Sequence, residues 1–548
     1  MQRLRRIALI VFEIILLSAL ILTTRCANYS DVFIGGKIYF TDADCYARMT
    51  RVRMCAEHPG LVVRRHDFEN FPQGTNPHTT APLDYLILAS SLLIRPFTTG
   101  AIDFAGAWIS PVLALLGGWF LWWWSRRTAP AFRWVALILY AISPILVHGT
   151  ELGRPDHQSL LILLLMIALC SEWILRESNP PDQTAPETPA IRESRIAWTR
   201  ISALNGVAWG FAIWVSAYEP LVLLGIVLLC VVGTRLVQNR AEPPQAEHLG
   251  GFVRKYQRFL WIGAVLLIAL LIERRVPELS IFRADPIYQR WSQTIGELSP
   301  VSAFNLIWFR WAGWLLLATP VLIWVGFKKK TGPPFFAIIL LITTYGLTVW
   351  QARWGYFFLF TFAIVLPRLL ESIKWRSVVW IAFVLSLLPI LQDWDEKLWP
   401  NETEISRRSE QRYEAIQLRA LALNMMSAEQ QPFIAPWWLS PSIVYWSGQP
   451  GVAGSSHESI KGIADSAHFF LAEDSAKAYE ILRGHKANWV LAYNSERVGA
   501  NSAVLLDVVV PENALCRILD RSPTQAPRFL VFSAQNGTGK LYWVGNNL

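Results

Sequence analysis

The sequence predicts a polytopic α-helical membrane protein that ends in a soluble α/β domain. Apolar runs recur from Ile7 to Leu391 and stop beyond Gln392. Charged residues make up only 17% of the 548, against about 25% in an ordinary soluble domain. The mean hydropathy is +0.31.

The first run, Ile7–Leu22, follows Arg3, Arg5 and Arg6, and no small-residue cleavage site clearly follows it. It reads as an uncleaved span with its N-terminus in the cytoplasm. Ten more runs follow: Phe104–Trp124, Trp134–Val147, Leu160–Leu175, Gly206–Tyr218, Leu221–Val232, Phe259–Ile272, Leu306–Phe327, Phe335–Trp350, Trp354–Leu366 and Val378–Leu391. Several fall short of the roughly 20 residues that cross a bilayer, so their ends extend into polar flanks. An odd count of eleven puts the termini on opposite sides. Arg126-Arg127, Lys328–Lys330 and the loops at Arg176–Arg200, Arg235–Arg258 and Arg368–Arg376 then all face the cytoplasm, as the positive-inside rule requires. Pro82–Ile94 is expected in an outer loop, as an interfacial or re-entrant helix.

This threading gives a membrane domain over residues 1–392. Its outer loops are Thr23–Asp103, Gly149–His157 and Glu273–Asn305. Residues 393–548 form the extracytoplasmic domain, with alternating "NWVLAY" as a strand and "DSAKAYEILRG" as a helix. The insert "ESNPPDQTAPETPAIRES" is expected to be a disordered cytoplasmic loop. A bacterial inner or plasma membrane is the expected location.

Composition also excludes functions. The net charge of +9 is accounted for by cytoplasmic Arg and Lys, not by nucleic acid binding. The six cysteines show no CxxC pair, and there is no Gly-rich phosphate loop and no GxSxG. Cys45 and Cys55 share the first outer loop, and the sequence leaves open whether they are a disulfide or two thiols. Glu13 lies inside the first span, where an acid is costly. Snorkelling toward Arg5 or Arg6 is the expected solution.

The chemistry concentrates at one face. "FTDADCYARMTRVR", "GRPDHQ" and "QTIGELSP" each put carboxylates at the outer mouth of a span. Acids on three separate loops can converge as oxygen ligands for Mg²⁺ or Mn²⁺. Such an ion can hold a phosphate-bearing substrate and neutralise a leaving phosphate. The plainer reading is that each acid pairs with a neighbouring arginine at the surface.

These motifs, in this order, resemble the oligosaccharyltransferase catalytic subunits, the STT3/PglB/AglB group with the GT-C membrane fold of about 11–13 spans. "DADCYARMTR" is similar to that family's first-loop motif and places Asp44 on its essential aspartate, with Asp42 an additional acid. "FPQGTNPHTTAPLDYL" resembles the continuation of that loop. "GRPDHQ" resembles the second acidic motif, with Asp156 on its first acid and His157 beside it. Gln158 stands where relatives carry an acid or His. "TIGE" fits the TIxE motif with Glu297 as its acid. "QARWGYFFLF" carries Arg353 as the arginine facing a lipid diphosphate. "APWWLSPSIVYWSGQPGVAG" is similar to the WWD block, with Trp437 and Trp438 matched and Leu439 in place of Asp.

The resemblance implies a glycosyltransferase that moves a glycan from a polyprenyl-diphosphate carrier to an acceptor peptide or protein at the membrane lipid surface. It implies Asp44 and Glu297 as catalytic residues, and Asp44, Asp156, Glu297 and His157 as ligands of Mn²⁺ or Mg²⁺. Arg353, Trp437 and Trp438 then bind substrate. Two other readings stand beside it. One is a GT-C enzyme using a polyprenyl-monophosphate sugar with a protein, lipid or polymer acceptor. The other is a membrane transporter or assembly scaffold, although transporters place polar groups at mid-membrane.

The threading is testable directly. Reporter fusions at Lys328 and after Leu548 are expected to report opposite compartments, and two cytoplasmic signals would overturn the odd span count.

Overall fold

The computed structural model describes residues 2–177, 188–238, 249–276 and 285–545. The expectation for the Pro-rich insert falls mainly on 178–187, outside the described residues. Every expected apolar run lies in a helix or a pair of helices. Six helices among the described residues are long and apolar enough to cross a membrane by length and composition, from Arg3–Arg25 to Arg376–Leu398. Leu9, Phe12, Ile15 and Leu16 of the first helix are exposed, an apolar face that suits lipid.

Three expected spans are interrupted, and each break has a local cause. Trp134–Val147 becomes Arg133–Ile142 and Pro144–His148. Ser143 is extended there (φ −64°, ψ 123°), as a residue preceding proline prefers. Leu306–Phe327 breaks at Gly313, whose φ of 77° and close approach to the Ser386 carbonyl, 2.5 Å from where a Cβ would sit, admit only glycine. Val378–Leu391 is interrupted only by a turn at Leu387, two residues before Pro389, within the helical stretch Arg376–Leu398.

The first break organises the outer face. Pro144 has no N–H, so the carbonyl at Tyr140 loses its helical donor. Arg25, fully buried, supplies the replacement. Its guanidinium donates to the carbonyls of Tyr140, at 2.8 Å, and Ala141, and to Thr150 Oγ1 at 3.1 Å. The Arg25 carbonyl accepts from the Leu152 N–H at 2.9 Å, and Asn28 donates to the Leu152 carbonyl at 2.9 Å. The end of the first helix therefore shapes the loop that carries Asp156. Gly153 is obligatory in that loop. Its φ is +77°, and a Cβ would meet Val32 at 2.6 Å.

In the first outer loop, helix Ala43–Glu57 packs on helix Ala81–Ile94. The two are joined by a buried ion pair, with Arg48 and Arg51 holding Asp84 at 2.7 and 3.1 Å. Cys45 and Cys55 are both free and buried. Glu13 does not snorkel to the N-terminal arginines. It pairs with Arg133 and accepts from Trp122 Nε1 at 3.0 Å, because neighbouring spans bring a cation and a donor to its own depth.

The C-terminal region is α/β. Its sheet runs in the order Phe433–Ile434, Trp489–Ala492, Gly539–Val544, Leu530–Asn536, the first pair parallel and the rest antiparallel. The expected boundary at 392 falls inside helix Leu388–Leu398. The sheet region packs directly on the first outer loop. Arg53 donates to the Tyr445 carbonyl at 2.8 Å, Tyr445 donates to Asp103 at 2.6 Å, and Phe68 and Phe71 exchange backbone hydrogen bonds with Gly451.

Replacing Arg25 by Met removes the donors while keeping the apolar stem. The Tyr140 carbonyl is then left unpaired in a dry core, while that of Ala141 keeps the Thr24 hydroxyl as donor at 2.8 Å, a loss of about 1–3 kcal/mol. A large fall in thermal unfolding temperature in detergent is expected, and an unchanged melting curve would refute the role.

Candidate functional site

The three acidic motifs meet at one cavity of about 1130 Å³. Asp42 caps helix Ala43–Glu57, accepting from the Cys45 N–H at 2.9 Å. Asp44 sits in the first turn, where the helix dipole favours an anion. Ser455, from the sheet region, donates to Asp44 at 2.5 Å.

Arg154 of "GRPDHQ" ties the motifs together. Its guanidinium reaches Asp42 at 3.2 Å and Glu297 at 3.1 Å, thus bridging the first and third loops from the second. It also donates to His148 Nε2 at 3.3 Å. With Nε2 accepting, His148 Nδ1 carries the proton and donates to Tyr356 Oη at 2.9 Å, and Tyr356 in turn donates to Glu297 at 3.0 Å. Glu297 is thus held on two sides.

Asp156 accepts from its neighbour His157 at Nδ1, 2.7 Å away. A carboxylate only accepts, so Nδ1 is protonated and Nε2 keeps its lone pair. Arg353 lines the same cavity, clamped to Glu219 at 2.5 Å. Glu219 is fully buried and also accepts from Ser216 at 2.6 Å.

The two tryptophans part company. Trp437 lines the cavity and packs edge-on against Trp291. Trp438 does not line it. Its ring stands at 88° to that of Trp437 and lies under the Arg497 guanidinium. Of the pair expected to bind substrate, only Trp437 lines the cavity, because consecutive residues entering a helix point in different directions. Leu439 packs against the core at the start of helix Ser440–Ser447. Asp44, Asp156, His157, Glu297 and Arg353 all line the cavity.

The electrostatics are uneven. Burial raises the Asp44 carboxyl to about 6, and Asp42 and Asp156 add to the rise. Burial also works against the Asp156 carboxylate. His157, Arg48 and Arg154 overcome it and hold that carboxyl well below its ordinary range. Two acids side by side, one of them already reluctant to ionise, form a donor set suited to a hard divalent ion. His157 Nε2 can join them. Glu297 is engaged by Arg154 and Tyr356, so it contributes to such an ion only by sharing its carboxylate with those donors.

A tighter group was not foreseen in the sequence. Ligand atoms of His78, His457 and Glu458 all lie within 4.8 Å of one another. His78 lies in "FPQGTNPHTTAPLDYL", and His457 lies three residues past the "WWL" block's closing Gly454. Arg154, Glu219 and Tyr356 were likewise missed, since their importance comes from partners distant in the chain.

No protein-family model matches the chain, and no curated protein matches it. Solved structures do. The oligosaccharyltransferase AglB of Archaeoglobus fulgidus, in complex with an inhibitory peptide and a dolichol-phosphate, matches with a TM-score of 0.62 and 13% identity over 97% of this chain and 74% of that one. An A. fulgidus oligosaccharyltransferase complex with Zn and sulfate matches at 0.58 and 12% identity, over 97% and 73%. ArnT of Cupriavidus metallidurans, bound to undecaprenyl phosphate, matches at 0.53 and 13% identity, over 98% and 97%. This chain therefore has the fold of GT-C membrane glycosyltransferases.

Asp44 makes stability depend on pH in a definite direction. Its carboxyl moves from 3.8 to about 6 on folding. Between those values the native state holds more protons than the unfolded one, so stability falls as pH rises through the window. In chelator, the unfolding temperature is expected to drop between pH 4 and 7. Asp44→Asn should flatten that drop and stabilise the protein by about 1–3 kcal/mol above pH 6. An identical pH profile in the two proteins would contradict the burial of Asp44.

Proposed function

We propose that this chain is an oligosaccharyltransferase-like enzyme that moves a glycan from a polyprenyl-diphosphate donor to a peptide or protein acceptor. The observation that carries the reading is the meeting of Asp44, Asp156, Glu297 and Arg353 at one cavity. AglB and ArnT structures with dolichol-phosphate and undecaprenyl phosphate support a lipid-phosphate donor in kind.

Each residue has a role. Arg353 offers a planar pair of donors to the diphosphate. Glu219 and Ser216 fix its position before substrate arrives, which reduces the reorganisation needed on binding. Asp44, Asp156 and His157 would hold Mn²⁺ or Mg²⁺, with Glu297 joining them. When bound, the ion supplies positive charge to the departing phosphate. Asp44 and Glu297 face the acceptor amide. Its nitrogen attacks the sugar C1 as the C1–O bond to the diphosphate breaks. Arg154, His148 and Tyr356 keep Glu297 aimed during this exchange.

A second reading draws on Leu439. It packs into the core instead of lining the cavity, and it cannot accept a hydrogen bond from an acceptor Ser or Thr. A single sugar moved from a polyprenyl monophosphate to a lipid or polymer needs no such acceptor. The same assay separates the two.

Glycan transfer from a polyprenyl-diphosphate donor to a peptide panel, with divalent ion added or chelated, is the test. Glu297→Gln is expected to cut kcat about a hundredfold or more with the fold retained. Arg353→Met is expected to raise the donor KM about tenfold. Transfer that persists in Glu297→Gln, or that ignores chelation, would reject the mechanism. Sugar appearing only on lipid would keep the fold and select the second reading.

A further inference from the structure

We propose that His78, His457 and Glu458 form a zinc site that clamps the first loop to the C-terminal sheet region, on the wall of the same cavity and next to His157, whose ring lies 6.3 Å from that of His78. The three ligand atoms lie within 4.8 Å of one another, close enough for one ion after small side-chain rotations. Two imidazoles and a carboxylate are the donors that Zn²⁺ favours, whereas Mg²⁺ and Mn²⁺ favour oxygen alone. Three protein ligands leave a fourth tetrahedral position, and both histidines line the cavity.

Glu458 stands between the two imidazoles. Its side chain is only 9% exposed. One oxygen, Oε1, accepts from the backbone N–H and Nδ1 of His78, both at 2.5 Å. The other, Oε2, is buried without a hydrogen-bond partner, and His457 Nδ1 stands 3.6 Å from it. Because Oε1 only accepts, His78 Nδ1 carries a proton, so a metal would be held through Nε2, displacing the second proton that Glu458 favours on this ring. The two imidazole rings are tilted by 37° to one another, with centroids 4.9 Å apart.

The clamp reaches the acidic cavity through two residues of chain. Ser455 belongs to the same turn as His457 and donates to Asp44 at 2.5 Å. Gly454 has no space for a side chain, since a Cβ would lie 2.6 Å from the Glu69 carboxyl carbon. The turn is therefore wedged against the first loop, and an ion fixing His457 and Glu458 would also fix Ser455 against Asp44. That effect on Asp44 rests on the glycosyltransferase reading. The zinc site itself does not, and its content is measured without any activity.

The experiment uses the full chain in detergent, exposed to Zn²⁺ and then desalted. The wild type is expected to retain about one zinc per chain. His78→Ala and His457→Ala should each retain less than about a tenth of that, while Asp156→Asn retains it in full. His457→Cys supplies a thiolate in place of the imidazole and should retain zinc, which separates a lost ligand from a lost fold. Co²⁺ loading should give the visible bands of a tetrahedral site in the wild type and in His457→Cys. Three results would overturn the proposal: no zinc retained by the wild type, zinc retained equally by both alanine variants, or zinc lost in Asp156→Asn.

Discussion

The three acidic loops are held together by one guanidinium. Arg154 is the only described group that touches acids from both the first and the third loop, Asp42 and Glu297. Without it, Asp42 and Glu297 would lose the cation they share. A charge buried to this degree is tolerated only when its partners surround it. The helix caps, the Gly153 turn and the His148–Tyr356 relay all act to place that one side chain. The site is a product of loop convergence, and the loops converge because a cation sits where they cross.

Charge is balanced locally across the cavity. Asp42 and Glu297 are paid for by Arg154, Asp156 by His157, and Glu219 by Arg353. Asp44 is hydrogen-bonded by the Ser455 hydroxyl with His78 further off, and burial and the neighbouring Asp42 raise its carboxyl all the same. The acid least compensated by the protein is the one with most to gain from an added cation. Arg353 occupies the opposite situation. Its partner Glu219 is buried and immobile, so the arginine is oriented while one of its edges faces the cavity. An anionic head group entering there meets a donor already in place.

Much of this was readable in the sequence, and the limits were physical. Hydrophobic runs located the helices because burial in lipid demands long apolar stretches. They did not locate the breaks, since Ser143-Pro144 and Gly313 interrupt runs that stay apolar on both sides. The acids at Asp44, Asp156 and Glu297 stood out because carboxylates beside apolar runs are costly. Their holders did not. Arg154 and Glu219 look like ordinary loop charges, and Tyr356 like one aromatic among many in "GYFFLF". Pairings separated by more than a hundred residues leave no local periodicity to read. Trp437 and Trp438 show the same limit at short range, because two identical neighbours enter different environments.

The buried Arg25 carries a consequence for how this chain can change over time. Pro144 withholds a backbone donor, and Arg25 supplies its replacement. Neither residue is tolerable alone. A proline without the arginine strands the Tyr140 carbonyl, and an arginine without the broken helix strands a charge in the core. Drift away from this arrangement must then pass through a less stable intermediate, or take both positions together. In any set of sequences sharing this fold, the two sites are expected to be inherited as a pair.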